Sequence, residues 1–528
     1  LNSKFIYLYI VTILLFSGCT PLGPDFKALD KPTIPKELKR GSSDEKILKR
    51  WWRVFGDNSL NKLIEMAYRE NLDVKSAGLR IVQARAILGI SKGYLYPQQQ
   101  TLSGSAVSTK NGKNEFASAK IGFDVGWEMD FWGKYARGVE SSEADLYRAV
   151  ASYQDILVSI LSEVARNYVD YRTAQERITY AKRNIAIQER ISRLTEVQFN
   201  AGNVSELDMQ QALSQLHNTK AILPLIEIEK SRSLNAMALL LATDRESIER
   251  IIDRGNRKLK DPIKRYMSKN SRNILQIKQS SRDILNVDII PKAKFNPYYK
   301  IDANLITRRP DIKVAEYIVR SNSANIGSTI AELYPSFVLF GNISISPNSA
   351  LGSWSSGTDA LGVNIGPSFS WNILQYGRIK NKIRAKDAIF EESIINYNKQ
   401  VLLAMNEISN AIVSYKYSKE QQLENSRAVE ATIRAFNISV VQYNDGLVGY
   451  ERLLTTVETL TRTQDQYAQI KGSLSKSVIL LYKALGGGWQ ISKGKSYISK
   501  ELAEKMKGRI DWGRYLDKSM TKIPESLE

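Results

Sequence analysis

The sequence predicts an internally duplicated α+β membrane chain, two helix-rich halves each interrupted by one β-hairpin. Three observations carry that prediction. Residues 139–201 and 378–445 contain neither glycine nor proline, so each stretch can run as one helix of roughly 95–100 Å at ~1.5 Å per residue. A seam of Leu157, Leu161, Val164, Tyr168 and Tyr171, spaced 4, 3, 4 and 3, returns 244 residues later as Val401, Met405, Ile408, Ile412 and Tyr415; this is heptad spacing, said twice. Finally, residues 119–131 and 363–373 alternate apolar with polar or small residues, the period of a strand with one apolar face.

Taken in order, the chain opens with Lys4, an apolar run over 5–16, and then Ser17, Gly18 and Cys19. Residues 1–18 read as a secretory signal, and the run is short for a bilayer span. Leu-Phe-Ser-Gly-Cys resembles a bacterial lipobox. Cys19, the one cysteine of the chain, is placed as the nucleophile for lipid attachment. Thr20 follows it, so the aspartate of an inner-membrane retention signal is absent. Residues 19–56 form a polar, proline-punctuated strap.

The first repeat spans 57–242. Trp51, Trp52, Phe55, Asp57, Leu60 and Leu63 are expected to open a helix, and Asn71-Leu72-Asp73 to break it and cap the next. A β-hairpin follows over 100–131, then long helices over 134–200 and 203–242. Residues 243–305 break the repeat with charge and with Pro262, Pro291 and Pro297, and read as a linker. The second repeat, 306–485, carries a hairpin over 336–373 and helices over 378–445 and 447–485. Leu95-Tyr96-Pro97 returns as Leu333-Tyr334-Pro335. The offset grows from 238 to 244 between 335 and 363, which places six extra residues in the second hairpin's tip, where loops absorb insertions. Residues 486–528 form a basic tail after a triple glycine.

Strands of about ten residues with one apolar face are the signature of a transmembrane barrel. Trp127, Trp132, Trp371 and Tyr376 lie near strand ends, where interfacial aromatics belong. Four strands cannot close a barrel alone, since the smallest single-chain barrels have about eight. The formal charge of +20 raises the question of nucleic acid. Lys and Arg are spread along the whole chain among Asp and Glu, so no nucleic-acid partner is expected.

These residues resemble the TolC-type outer-membrane efflux proteins, in their lipoprotein branch. The resemblance runs from Cys19 to about residue 489. It rests on Leu22-Gly23-Pro24-Asp25-Phe26, Trp51-Trp52 with Phe55 and Asp57, Asn71-Leu72-Asp73, Arg308-Arg309-Pro310-Asp311-Ile312 and Tyr443-Asn444-Asp445-Gly446, in that order on the duplicated frame. It implies a homotrimer whose protomers each give four strands to a twelve-stranded barrel and whose helices form a hollow periplasmic tunnel. It also implies an inner-membrane pump and a periplasmic adaptor as partners, contact with outer-membrane lipid, passive conduction of drugs or other small solutes, and no cofactor or metal.

Gly202 and Gly446 mark the turns between long helices, suited to the left-handed conformation of a helix C-cap. The resemblance makes them the periplasmic tip and makes Asp208, Asp445, Val448 and Arg452 candidates for the gate. Where TolC itself carries gate carboxylates, six and nine residues after the second glycine, this chain has Arg452 and Thr455. Asp445 reads equally as a plain turn residue. An enzyme finds no support: His217 is the one histidine, and no spacing suggests metal ligands. The exit duct of a type I protein-secretion system shares the same frame. A structural coiled-coil surface lipoprotein explains the helices but not the hairpins.

Overall fold

The computed structural model describes residues 21–29, 48–112, 114–255, 289–294, 306–347 and 360–523. Cys19 and the signal segment lie outside the described residues, as do most of the linker and of the second hairpin's tip.

Trp51, Trp52 and Phe55 are buried in a separate 3-10 turn, Trp51–Phe55, and do not open the first helix. Gly56, at φ +61°, turns the backbone left-handed and stops it. Asp57 then restarts the chain as α1 (Asn58–Glu70), its Oδ1 accepting from the Ser59 and Leu60 N–H groups at 2.8 and 3.0 Å. Asn71 caps α2 (Leu72–Gly93) through Val74 N–H at 2.9 Å. Strands β1 (Gln99–Asn111) and β2 (Asn114–Met129) follow. Next come α3 (Lys134–Asn200), α4 (Glu206–Leu241) and α5 (Arg245–Gly255).

The second half repeats the order with α6 (Pro310–Ile330), β3 (Ser336–Ile345), β4 (Leu361–Ser370), α7 (Arg378–Asn444) and α8 (Tyr450–Ala484). Helices α3 and α7 each have 67 residues, about 100 Å of rise. Helix α4 starts three residues later than its glycine-bounded estimate because Ser205 caps it. Helix α8 likewise waits for Gly449, which holds an extended conformation at its N-cap.

Helix α3 packs against α4 and α7 against α8, and α3 also lies along α2, α6 and α8. The predicted seam is the core. Leu157, Leu161, Val164 and Tyr168 are fully buried among Trp51, Leu60, Ile64, Ile81 and Tyr482. Trp51 stacks on Tyr482 with ring centres 5.6 Å apart; emptying such a site costs ~3–5 kcal/mol. A second cluster near the far end joins Ile187 and Ile191 of α3 to Phe436, Val440, Leu453 and Val457.

The C-terminal tail folds back onto this core. A 3-10 turn (Trp489–Ser492) leads to α9 (Lys500–Lys507), with Ala503 and Met506 buried. Ile523 N–H donates to Lys495 O at 3.0 Å and closes the tail on itself.

Candidate channel wall and gate

The four strands make one antiparallel sheet in the order β1-β2-β3-β4, so the two hairpins join through β2 and β3. Register fixes its faces. Leu102 pairs with Phe123, Phe123 with Ile343 and Ile343 with Val363. Ile121, Ile345 and Leu361 form the next row, and Trp127, Leu339 and Pro367 another. Residues directly opposite share a face, so one face is apolar across its full width. It is also exposed: Leu102, Ile121, Phe123, Ile343, Val363, Ile365 and Phe369 all face outward from the chain.

The other face carries Thr101, Asp124, Asn342 and Asn364 in one row, with Asn342 Nδ2 donating to Asp124 Oδ1 at 2.6 Å. Glu128 also lies on β2 and pairs with Lys134 Nζ at 3.0 Å. Among the described residues no helix is long and apolar enough to cross a membrane.

Three of the four predicted interfacial aromatics are built into the strand ends. Trp127 lies in the apolar rows. The Trp132 indole N–H donates to Pro335 O at 2.8 Å, and its ring stacks on Tyr334 at 4.7 Å. The Trp371 indole N–H donates to Leu333 O at 3.0 Å. Tyr376 makes no such bond among the described residues; it is 98% exposed at φ +48°, just before α7.

The junction between sheet and helices contains residues the sequence reading passed over. Asp130 receives the Tyr135 and Ala136 N–H groups at 3.1 and 2.7 Å and so caps α3. An aspartate a few residues before a long helix was the available signal. Arg137 reaches the strap: its Nε donates to Leu22 O at 3.1 Å, and one Nη2 donates to Gly23 O at 3.3 Å and Asp25 Oδ1 at 2.7 Å. Leu22 N–H donates to Trp132 O at 3.1 Å. The strap lies so close to α6 that a Cβ on Gly327 would meet Leu22 O at 2.5 Å.

At the far end both predicted turns form, and they match. Gly202 and Gly446 have φ of +75° and +69°. Gly202 N–H donates to Phe199 O at 2.8 Å and Asn203 N–H to Gln198 O at 2.9 Å; in the second repeat Gly446 donates to Tyr443 O at 3.1 Å and Leu447 to Gln442 O at 2.8 Å. This is a Schellman motif in each half.

The gate candidates separate here. Asp208 is held in a capping box with Ser205, at 3.1 and 3.2 Å. Val448 packs against the tip cluster. Asp445 and Arg452 are exposed and, among the described residues, make no side-chain hydrogen bond or ion pair. Tyr443, in the last turn of α7, ties the two tips together by donating its hydroxyl to Gln198 Oε1; burial pushes its pKa up.

Polar links continue along the α3–α8 seam. Gln188 Nε2 donates to Thr461 Oγ1 at 3.3 Å and Asn184 Nδ2 to Gln464 Oε1 at 3.2 Å. Lys471 and Glu176 form an ion pair of 2.7 Å with side chains 3% and 0% exposed.

Residues 63–243 and 303–487 match the family described as Outer membrane efflux protein. The chain belongs to that family. It is an outer-membrane efflux channel, not an enzyme. The channel resembles SilC of Salmonella typhimurium, a probable outer membrane lipoprotein, at 25% identity over 495 residues, which are 92% of this chain and 99% of that one. Nodulation protein T of Rhizobium leguminosarum bv. trifolii is 27% identical over 485 residues, 90% of this chain and 96% of its own length. Among solved structures, the outer-membrane channel OprN superposes with a TM-score of 0.75 at 26% identity, covering 89% of this chain and all of that one. The two matched stretches fall on the two repeats, so the duplicated α+β frame is the family's own.

Proposed function

We propose that the channel works as a homotrimer, lipid-anchored in the outer membrane, and conducts small solutes delivered by an inner-membrane pump through a periplasmic adaptor. The carrying observation is the sheet. Its four strands leave β1 and β4 as open edges, and one whole face is apolar and exposed. Open edges and bare apolar faces are liabilities that closure removes. Three copies give twelve strands, with the apolar face toward lipid and the Asp124–Asn342 face toward a wet lumen. No chemical step is required of the protein. Solutes move down the lumen, and the tip decides when it is open.

The strap supports lipid attachment at Cys19. Leu22 is fixed at Trp132, where β2 gives way to α3, and two residues of chain from Pro21 reach at most ~7 Å. A diacylglyceryl group on Cys19 would lie within that reach of the strap's seat. SilC bears the name of a lipoprotein.

The test is the mass of the detergent-solubilised protein together with its conductance in planar bilayers. A trimer that forms pores is expected; a monodisperse monomer retaining its strands would sink the proposal. Palmitate labelling should be lost in Cys19→Ser, and equal labelling of both proteins would remove the anchor.

A further inference from the structure

A cluster of cations with a net positive charge lies away from sheet and tip. Three chain segments bring it together. Lys49 and Arg50 precede the Trp51–Phe55 turn, Arg69 ends α1, and Lys495 follows the Trp489–Ser492 turn. All four side chains are exposed, and among the described residues none of them forms an ion pair. The Lys495 ammonium stands 4.9 Å over the Tyr68 ring. Its pKa is held below the ordinary lysine value, first by partial burial and then by Arg50, Lys49 and Arg69, with Glu65 the opposing charge. Around Lys495 the cations Lys49, Arg50 and Arg69 outnumber Glu65, and an arriving polyanion relieves the net repulsion.

The fold also says where such an anion must be. Tyr68 lies beside Tyr153. Tyr153 lies 153 − 134 = 19 residues along α3 from Lys134 at the base of the sheet, or ~30 Å at 1.5 Å per residue. That is several Debye lengths of ~8 Å at physiological salt, too far for phosphates of the membrane around the barrel to act. The large side chains beneath the patch, Trp51, Trp52, Leu60, Leu63 and Ile64, are buried, so the surface offers charge without a large apolar anchor. Interfaces built on specific protein partners centre on such anchors. A repeating polymer of carboxylates needs none.

We propose that Lys49, Arg50, Arg69 and Lys495 form a docking surface for the carboxylate-bearing cell-wall polymer that lies below the outer membrane, and so brace the channel laterally at that depth. The proposal rests on the placement of the channel in the outer membrane with its helices in the periplasm. It does not depend on what passes through the lumen.

The experiment is co-sedimentation of the full-length, detergent-solubilised protein with purified peptidoglycan sacculi at low salt. Wild type should pellet, and K49Q/R50Q/R69Q/K495Q should bind about tenfold more weakly. Carbodiimide amidation of the sacculus carboxylates should abolish pelleting of the wild type. K500Q/K505Q, which removes two other tail cations, should pellet like wild type. Unchanged pelleting of the quadruple variant, equal loss in K500Q/K505Q, or indifference to amidation would each overturn the proposal. So would a quadruple variant that loses binding to anionic phosphatidylglycerol vesicles but not to sacculi. Oligomer mass and bilayer conductance of the quadruple variant keep the readings separate: a conducting trimer that no longer pellets supports the docking surface. A wild type that pellets but forms no pores counts against the channel reading alone.

Discussion

Arg177 grips Asp465 with two nitrogens, Nε at 2.7 Å from Oδ1 and Nη2 at 3.3 Å from Oδ2, and so binds α3 to α8 midway along their seam. Its third nitrogen reaches Glu229 of α4. One guanidinium therefore holds three helices, two from the first repeat and one from the second.

If the second coil must part from the first for the tip to open, this fork opposes opening. We expect Arg177→Ala and Asp465→Ala each to favour the open state by about 1–2 kcal/mol, roughly five- to thirtyfold in open probability. The double variant should add little to either single one, because both remove the same interaction. Single-channel recordings would show it. Fully additive effects would mean the two residues act separately.

The Lys471–Glu176 pair predicts an asymmetry. Both side chains are sealed in the seam, Tyr180 donates to Glu176 at 3.4 Å, and the ammonium lies 5.4 Å from the Tyr467 ring centre. Lys471→Ala strands a buried carboxylate and should cost about 3–5 kcal/mol. Lys471→Met with Glu176→Leu should unfold within about 1–2 kcal/mol of wild type. Thermal melts followed by helical circular dichroism test both. A double variant as unstable as the single would show that the charges are needed for more than neutralising each other.

Asp155 predicts a pH dependence of definite sign. Burial, with Asp311 nearby, pushes its carboxyl up to about 6. Asp311 moves the other way: burial raises it, but the bidentate Arg309 guanidinium outweighs that and holds it below the ordinary value. For Asp155 the folded value exceeds the unfolded one, so the fold disfavours the ionised form. That cost is full above about pH 6–7 and fades as pH falls toward 4. Asp155→Asn should thus stabilise the protein at pH 7.5 by about 1–2 kcal/mol, allowing for partial solvation, and leave it unchanged near pH 4. Melting temperatures of both proteins across that range decide it. A gain that persists at low pH would point to packing instead.

Of the two carboxylates that are candidates for the gate, Asp445 is the exposed one. In a threefold assembly its copies would attract cations near the axis. Asp445→Ala should lower cation preference in recordings at low salt and change little in 1 M salt, where the Debye length is about 3 Å. Unchanged selectivity at low salt would leave Asp445 as a turn residue and direct attention to Val448.

Much of this was legible because periodic patterns survive without tertiary information. The seam from Leu157 to Tyr171 is buried as heptad spacing requires, and Gly202 and Gly446 hold the left-handed turns their positions implied. What periodicity cannot show is which polar side chain meets which across hundreds of residues. Arg177 and Asp465 are 288 positions apart. Neither differs in sequence from its neighbours on a charged helix face. The Trp51 turn departs from the expected helix for a local reason: Gly56 takes φ +61°, and nothing in its immediate sequence distinguishes that from a tolerated helix-edge glycine. The capping contact of Asp208 with Ser205 was hidden likewise. A Ser-x-x-Asp cap and a pore carboxylate are spelled with the same letters.

The strap has a bearing on the order in which the molecule is put together. Its seat is shared: Trp132 and Arg137 come from the first half, and Gly327, against which Leu22 lies, from the second. Ser323 of the second half also donates to Pro24 O, at 3.5 Å. During synthesis the strap emerges some three hundred residues before Gly327, as 327 − 22 = 305. It has only half a berth until α6 arrives. The part of the chain made early is therefore fastened late, and its docking reports that the two halves have met.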